Sequence, residues 1–379
     1  MGPAASDVSE ITAVGARDVL VRLNRRSTFV PEALEFLVEE PNQPAVGTGP
    51  FGIVSSSSTG LEMAANQQYY LGAPRIDRIL FKPYASVRAA WADMMRGQVD
   101  VLYDVAPDFL DLLRPSSNVR IFEFRERYAY VILPNARRPQ FKDKRIRAAL
   151  NAAIDRDRLI ADSFQGHGSP AVGAIWPEHW AYDRNLPTFR YDAAAAAKAL
   201  AHIPVDPADR KQGQGNIRFT CLFADAAQER LALSIQQQLQ AFGVEMIPEM
   251  LPVDEFAKRL TNGNFDAALL SALVGPNSLR VYQWWHSGAP YNFGSFRSDA
   301  VDASLDSIRH AVDDAAYKTG VADLQRAIME DPPAIFLTWS ERARAVSNRF
   351  DVAPDTSGDV LRTLRLWRPV IGEATAGEN

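Results

Sequence analysis

The densest set of groups able to hold a ligand is residues 281–296, VYQWWHSGAPYNFGSF, where aromatic rings and a histidine surround the turn Ser287-Gly288-Ala289-Pro290. Trp284, Trp285 and His286 are consecutive, so on a strand they could not all face one core. Large rings with a polar edge on a loop suit a ligand cleft, because they supply area, stacking and a hydrogen-bonding rim. The plainer alternative is that these rings fill a core, and the residues alone leave both open. Trp284, Trp285, His286 and Asn292 are the candidate contacts here. A second candidate group is Arg125-Glu126-Arg127-Tyr128, whose charges either meet a polar ligand or pair with one another. Arg127 and Tyr128 are its candidate ligand-binding residues.

Catalytic and metal chemistry finds little support. His167, His179, His202, His286 and His310 include no H-x-x-x-H pair, the spacing that sets two imidazoles on one helix face for a metal. Gly166-His167-Gly168-Ser169-Pro170 is not a nucleophile elbow, since Pro170 stands where a backbone N–H would line an oxyanion hole. There is no P-loop and no G-x-G-x-x-G. The pairs Asp302/Asp306 and Asp313/Asp314 read as solvated helix faces. Neither a catalytic residue, a metal ligand nor a cofactor is expected. The single cysteine, Cys221, rules out an internal disulfide and reads as a small buried hydrophobe within a strand.

These groups must be positioned by the surrounding elements. Residues 128–133, YAYVIL, form an aromatic and β-branched run that predicts a buried strand. Pro134, Asn135 and Pro139 punctuate a loop. Ile146, Leu150 and Ile154 then mark one face of a helix, with Arg145, Arg147, Arg156 and Arg158 expected on its wet side. Upstream, a hairpin is expected at Gly15-Ala16-Arg17-Asp18 and a short helix over 34–38. Residues 76–103 read as strand, helix and strand, a parallel βαβ unit, with Ser86 as N-cap and Gly97 ending the helix. Downstream, Asp192 caps an alanine-rich helix and 204–216 is a connector. A β-α-β-α-β series follows from 216 to 273, then two helices, a buried strand over 334–339 and a final strand over 360–367.

The order strand, N-x-x-x-P, F-x-D-x-R-[IV]-R and A-L-x-x-A-I-D-R resembles the signature of the family 5 bacterial extracellular solute-binding proteins. Its carriers are Asn135, Pro139, Phe141, Asp143, Arg145, Ile146, Arg147, Ala149, Leu150, Ala153, Ile154, Asp155 and Arg156. Gly47-Thr48-Gly49-Pro50-Phe51, Asn66, Tyr69-Tyr70, Gly97-Gln98-Val99-Asp100, Trp180-Ala181-Tyr182, Phe265-Asp266 and Asp331-Pro332-Pro333 extend the resemblance over nearly the whole chain. It implies a periplasmic-binding-protein-like α/β fold of two lobes around a cleft. It also implies that the N-terminal part of the first lobe and most of the small lobe are missing here. The implied spans are the end of the small lobe and a linker over 1–45, a partial main lobe over 46–181, a second α/β lobe over 182–350 and a returning segment over 351–379. The resemblance turns residues 281–296 toward the cleft and puts Arg127 and Tyr128 at the lobe junction. One departure stands out: oligopeptide-binding members carry an aspartate for the ligand's α-amino group where this chain has Gly275.

The implied function is the substrate-binding component of an ABC importer, a non-enzyme that delivers a peptide or other polar solute to permease subunits. The alternatives are a ligand-sensing domain of a transcriptional regulator and, less favoured, a hydrolase. At 379 residues the chain exceeds one core's usual size, and 41 basic against 46 acidic residues give no reason to expect nucleic acid. No run of about 18 apolar residues exists to insert in a membrane. A monomer is expected, periplasmic or anchored at the cell surface, although Met-Gly-Pro-Ala-Ala-Ser-Asp has no signal-peptide character.

Overall fold

The computed structural model describes residues 2–35, 39–40, 43–105, 110, 116, 118–201, 217–275, 277–353 and 358–370. His202, the 204–216 connector and the end of the helix expected over 34–38 lie outside them; a short helix, Phe29–Ala33, stands just upstream instead. The chain forms two units, Met1–Glu35 with Arg127–Ser340, and Phe36–Glu126 with Glu341–Asn379. These boundaries differ from the four spans expected, and strand pairing is the reason. Residues 128–134 pair with 267–273 in one sheet, so the central strand belongs with the downstream α/β series.

In chain order the strands are β1 (Val8–Val14), β2 (Asp18–Leu23), β3 (Glu39–Glu40), β4 (Gln43–Gly47), β5 (Phe51–Ser57), β6 (Gly60–Ala65), β7 (Arg78–Phe81) and β8 (Val101–Leu102). Then come β9 (Val119–Pro134), β10 (Ser169–Pro170), β11 (Ile217–Phe223), β12 (Val244–Met250), β13 (Ala267–Leu273), β14 (Ile335–Ser347), β15 (Phe350–Asp351) and β16 (Arg368–Pro369). In the first unit the sheet order is β10-β14-β9-β13-β11-β12. β11 runs parallel to β12 and β13, with the Glu229–Gln240 and Val253–Thr261 helices as crossovers. Both faces are covered. Ile132 of β9 joins a core with Phe141, Ile146, Leu150, Phe219, Cys221, Leu231 and Ile235. Its neighbours Val131 and Leu133 join the opposite core with Trp285, Phe296, Leu305, Leu324 and Phe336, as the two-residue period of a strand requires. Burial pushes the Cys221 thiol up to about 12.

The Lys144–Ala153 helix buries Ile146 and Leu150 as its spacing predicts, but its basic residues are not all wet. Arg147 and Arg156 are each only 4% exposed, which corrects their placement on the solvent side. Arg147 donates to the Pro332 carbonyl at 2.8 Å and pairs with Asp331. Arg156 donates to the carbonyls of Ala171 (3.0 Å), Phe336 (2.9 Å) and Asn151 (3.1 Å). Fully buried Asn151 completes the knot: its amide donates to Ala334 O at 2.9 Å and its Oδ1 accepts from Phe336 N at 3.1 Å and Arg156 at 3.1 Å. Burial lowers the Arg156 pKa to about 10, which leaves it charged at neutral pH.

The N-terminal segment docks on the same unit through buried Asp7. Burial alone would raise this carboxyl, but hydrogen bonds from Arg309 (2.7 Å) and Arg25 (2.6 Å) outweigh it and hold the pKa at about 2. The β1–β2 hairpin forms where its turn residues predict.

In the second unit β5, β6 and β7 make an antiparallel sheet, while β8 pairs antiparallel with the later part of β14. The expected parallel βαβ unit over 76–103 therefore does not form, because its two strands pair in different sheets. Its helix is as expected: Ser86 accepts from Ala89 N at 3.2 Å, and Gly97 adopts φ +71°. The strand expected over 360–367 is instead a 3-10 helix, Val360–Leu366, after which Trp367 is buried with Val346 and Val352.

Asn151→Ala should lower the unfolding free energy by about 3 kcal/mol in urea titrations, because it strands a buried N–H, a buried carbonyl and part of a buried guanidinium together. A loss under about 1 kcal/mol would show that the knot contributes little.

Candidate functional site

β11 and β13 are neighbours, yet the chain leaves their carboxyl ends for opposite faces of the sheet. After β11 it enters the Glu229–Gln240 helix, whose Leu231, Ile235 and Leu239 join one core. After β13 it enters the Ser278–Trp285 helix, whose Leu279, Val281 and Trp285 join the other. Strand ends that part in this way are where a ligand crevice is usually found on an α/β sheet.

Arg127 and Tyr128 stand beside the carboxyl end of β13, on the side away from β11. Tyr128 pairs with Leu273, the last residue of β13, and is 39% exposed. The Arg127 carbonyl accepts from the N–H groups of Val274 at 3.0 Å and Gly275 at 3.2 Å. The neighbouring charges pair with other residues of the second unit: Arg125 lies 3.6 Å from Glu341, and Glu126 accepts from Arg342 at 3.2 Å. Gly275 faces the indole of Trp176, and a Cβ there would come within 3.1 Å of the ring. That ring is buried and packs edge-on against Trp339 at 4.9 Å. The room a side chain at 275 would need is filled by indole.

The helix that starts at Ser278 forms a further wall. Its first N–H groups are capped by Asn277 and by Glu32, whose carboxylate accepts from Leu279 N at 2.8 Å. Ser278 Oγ accepts from the Tyr317 hydroxyl at 2.7 Å, and His179 Nε2 lies 3.4 Å from the same hydroxyl. His179 Nδ1 accepts from Ala181 N at 3.1 Å, which leaves its proton on Nε2. Trp180 stacks on Tyr317 with ring centres 5.1 Å apart and is 54% exposed. Glu32, Trp176, His179 and Tyr317 escape the sequence reading because their partners are distant in the chain; Trp180 was visible only as part of a family motif.

The remaining candidates lie at the other end of the sheet. From Tyr128 to Pro134 β9 rises about 20 Å, and beyond Pro134 the N–H of Ala136 donates to Gly294 at 2.7 Å. The tryptophans sit on the last turn of the Ser278–Trp285 helix, not on a loop. Trp285 is 1% exposed and packs edge-on against Phe336. Trp284 is partly buried beside Tyr291, at 5.4 Å between ring centres. His286 stacks on Tyr282 at 4.3 Å and accepts from Gly288 N at 3.1 Å. Asn292 spends its amide on the loop itself, donating to Ser287 and Phe296 and accepting from Phe296 N. The structure thus brings Arg127 and Tyr128 together, and Trp284, Trp285, His286 and Asn292 together, but not the two groups with each other.

Among the described residues no cluster of His, Cys, Asp and Glu could hold a metal, and no helix is long and apolar enough to cross a membrane.

The family model for bacterial extracellular solute-binding proteins, family 5 Middle, matches residues 5–293. The oligopeptide-binding protein AppA of Bacillus subtilis is 21% identical over 81% of this chain and 59% of its own length. A glutathione-binding protein, GsiB of Pectobacterium atrosepticum, is 25% identical over 86% of this chain and 65% of its own. The chain thus spans about three fifths of the length of these curated relatives. Among solved structures, B. subtilis AppA in complex with a nonapeptide superposes with a TM-score of 0.80 at 20% identity, over 97% of this chain and 80% of that one. NikA of Brucella suis in complex with Fe(III)-EDTA gives 0.83 at 16% identity, again over 97% and 80%. These likenesses establish the periplasmic-binding-protein type of α/β fold.

Two groups at the crevice titrate with opposite effect. Burial raises the Glu32 pKa from 4.5 to about 7, against the pull of the Leu279 and Ser278 N–H groups. Its proton is held more tightly in the folded state, so its contribution to stability is full below pH 4.5 and is lost as pH rises through about 7. Burial lowers His179 from 6.5 to about 4, so its contribution is full above pH 6.5 and is lost as pH falls through about 4. Glu32→Gln should therefore gain stability relative to the parent by about 3 kcal/mol between pH 4.5 and 7, as one slope is removed and the other kept. A pH-independent difference in urea unfolding would contradict this.

Proposed function

Because the chain belongs to the bacterial extracellular solute-binding proteins of family 5, we propose that it is the substrate-binding component of an ABC importer. It captures a peptide or another polar solute and passes it to the permease. The match of the family model through residues 5–293 carries this reading. The relatives named for oligopeptides and glutathione support a peptide-like solute. Binding needs no bond to be made or broken, which suits a crevice whose polar groups hold one another and leave no activated nucleophile: the Ser278 hydroxyl is engaged by Tyr317, and His179 is kept neutral by burial.

The solute contacts proposed are Arg127 and Tyr128, at the carboxyl end of β13. Trp284, Trp285, His286 and Asn292 serve chiefly to hold the helix and its following loop against the sheet. The Trp176 ring against Gly275 supports recognition without an amine-binding carboxylate at that position.

The test is solute capture by the whole chain. Mass spectrometry of small molecules carried through purification, followed by thermal unfolding with a panel of di- to nonapeptides, should find a peptide-like solute that raises Tm. Tyr128→Ala should weaken its affinity about tenfold or more, as loss of an aromatic anchor does. No carried solute and no peptide that raises Tm would remove the reading. Unchanged affinity in the variant would move the site.

A further inference from the structure

We propose that Trp180 and Tyr317 form a stacking platform for a planar aromatic group of the solute. The inference rests on the solute-binding reading above and adds a chemical class to it. The exposed ring of Trp180 offers a large apolar face with a polar edge. Trp180 is 54% exposed, yet it is not loose. Its ring lies on Tyr317 with centres 5.1 Å apart and 24° between planes, and 6.0 Å from His179 at 26°. The turn that carries it is closed by His179 N donating to Trp176 O at 2.9 Å and Tyr182 N to His179 O at 2.9 Å. Tyr317 beneath it is fixed by its hydroxyl on Ser278.

Position supplies the second argument. Ser278 opens the helix after β13, and Trp176, in the turn before that of Trp180, lies against Gly275. The platform therefore stands near the carboxyl end of β13, at Tyr128's end of the sheet. Charge supplies the third. The nearby helix start is already capped by Glu32 and Asn277, and the room at 275 is filled by indole, so neither the helix start nor position 275 offers a charged solute group a partner. Lys318 Nζ lies 5.4 Å from the centre of the Trp180 ring. The face attracts partners, and a flexible lysine yields to a ring. A preordered ring costs little entropy to bind, so an aromatic side chain is the occupant the geometry favours.

The experiment uses the whole chain labelled with fluorotryptophan, which gives one fluorine resonance for each of its seven tryptophans. The Trp180 resonance is the one lost in Trp180→Phe. N-acetyl-phenylalaninamide should shift it saturably, and N-acetyl-leucinamide should not. Trp180→Ala should also weaken, about tenfold, a phenylalanine-containing tripeptide that stabilises the parent. No shift with the aromatic amide, or an equal shift with both amides, overturns the platform. If a peptide raises Tm while its affinity is indifferent to Trp180→Ala, the platform fails and solute binding stands. If the resonance shifts saturably and selectively while no peptide raises Tm, the platform stands and the solute-binding reading is the part that fails.

Discussion

The fold of the first unit depends on a guanidinium taken out of water. Arg156 ends up 4% exposed, and a charge so placed is tolerable only when its donors are met by oxygens. Here they are met by four backbone carbonyls, those of Ala171, Phe336, Asn151 and Ile154, and by the Asn151 side chain. Asn151 in turn binds both edges of β14's entry, at Ala334 and Phe336. The carbonyls and the amide would each be costly to bury unpaired, so the helix pair, β10's flank and β14 are fixed as one object or not at all. That fixing sets the position of β14 beside β9, and β9 in turn sets where β13 ends.

From that register the crevice follows. β13 pairs with β9 so that its last residue meets Tyr128, and the chain then turns through two N–H groups on one carbonyl of Arg127. The turn needs a residue without a side chain at 275, because Trp176 closes on it. The N-terminal segment contributes from the far end of the sequence: Asp7 locks it to Arg309, and Glu32 caps the helix after β13. Glu32 and His179, titrating groups of opposite slope, thus sit beside the turn that follows β13.

Much of this was legible in the chain. The two- and 3.6-residue periods placed β9, the β11-to-β13 series and the Ile146–Leu150 helix face, and the caps at Ser86 and Asp192 were read correctly. Long-range pairing was not legible. Arg147 and Arg156 look wet because periodicity ranks charge as surface, whereas tertiary carbonyls held them in. The 76–103 stretch has the local pattern of a parallel unit, but its strands found separate partners. Trp284 and Trp285 argued against a single strand face, which was sound. A helix resolves that conflict by turning one ring inward and the other partly out. Arg127 and Tyr128 were named at a lobe junction by the family resemblance alone, while Glu32, Trp176 and Tyr317 carry no local signal because their partners lie across more of the chain than any motif spans.

The central claim is that solute is recognised at the carboxyl end of β13, and the most direct measurement is amide hydrogen exchange with and without a peptide that stabilises the protein. Protection should concentrate in residues 127–128, 176–182 and 273–280, while 286–296 exchanges as before. Protection confined to 286–296, with the strand-end segments unchanged, would contradict the account.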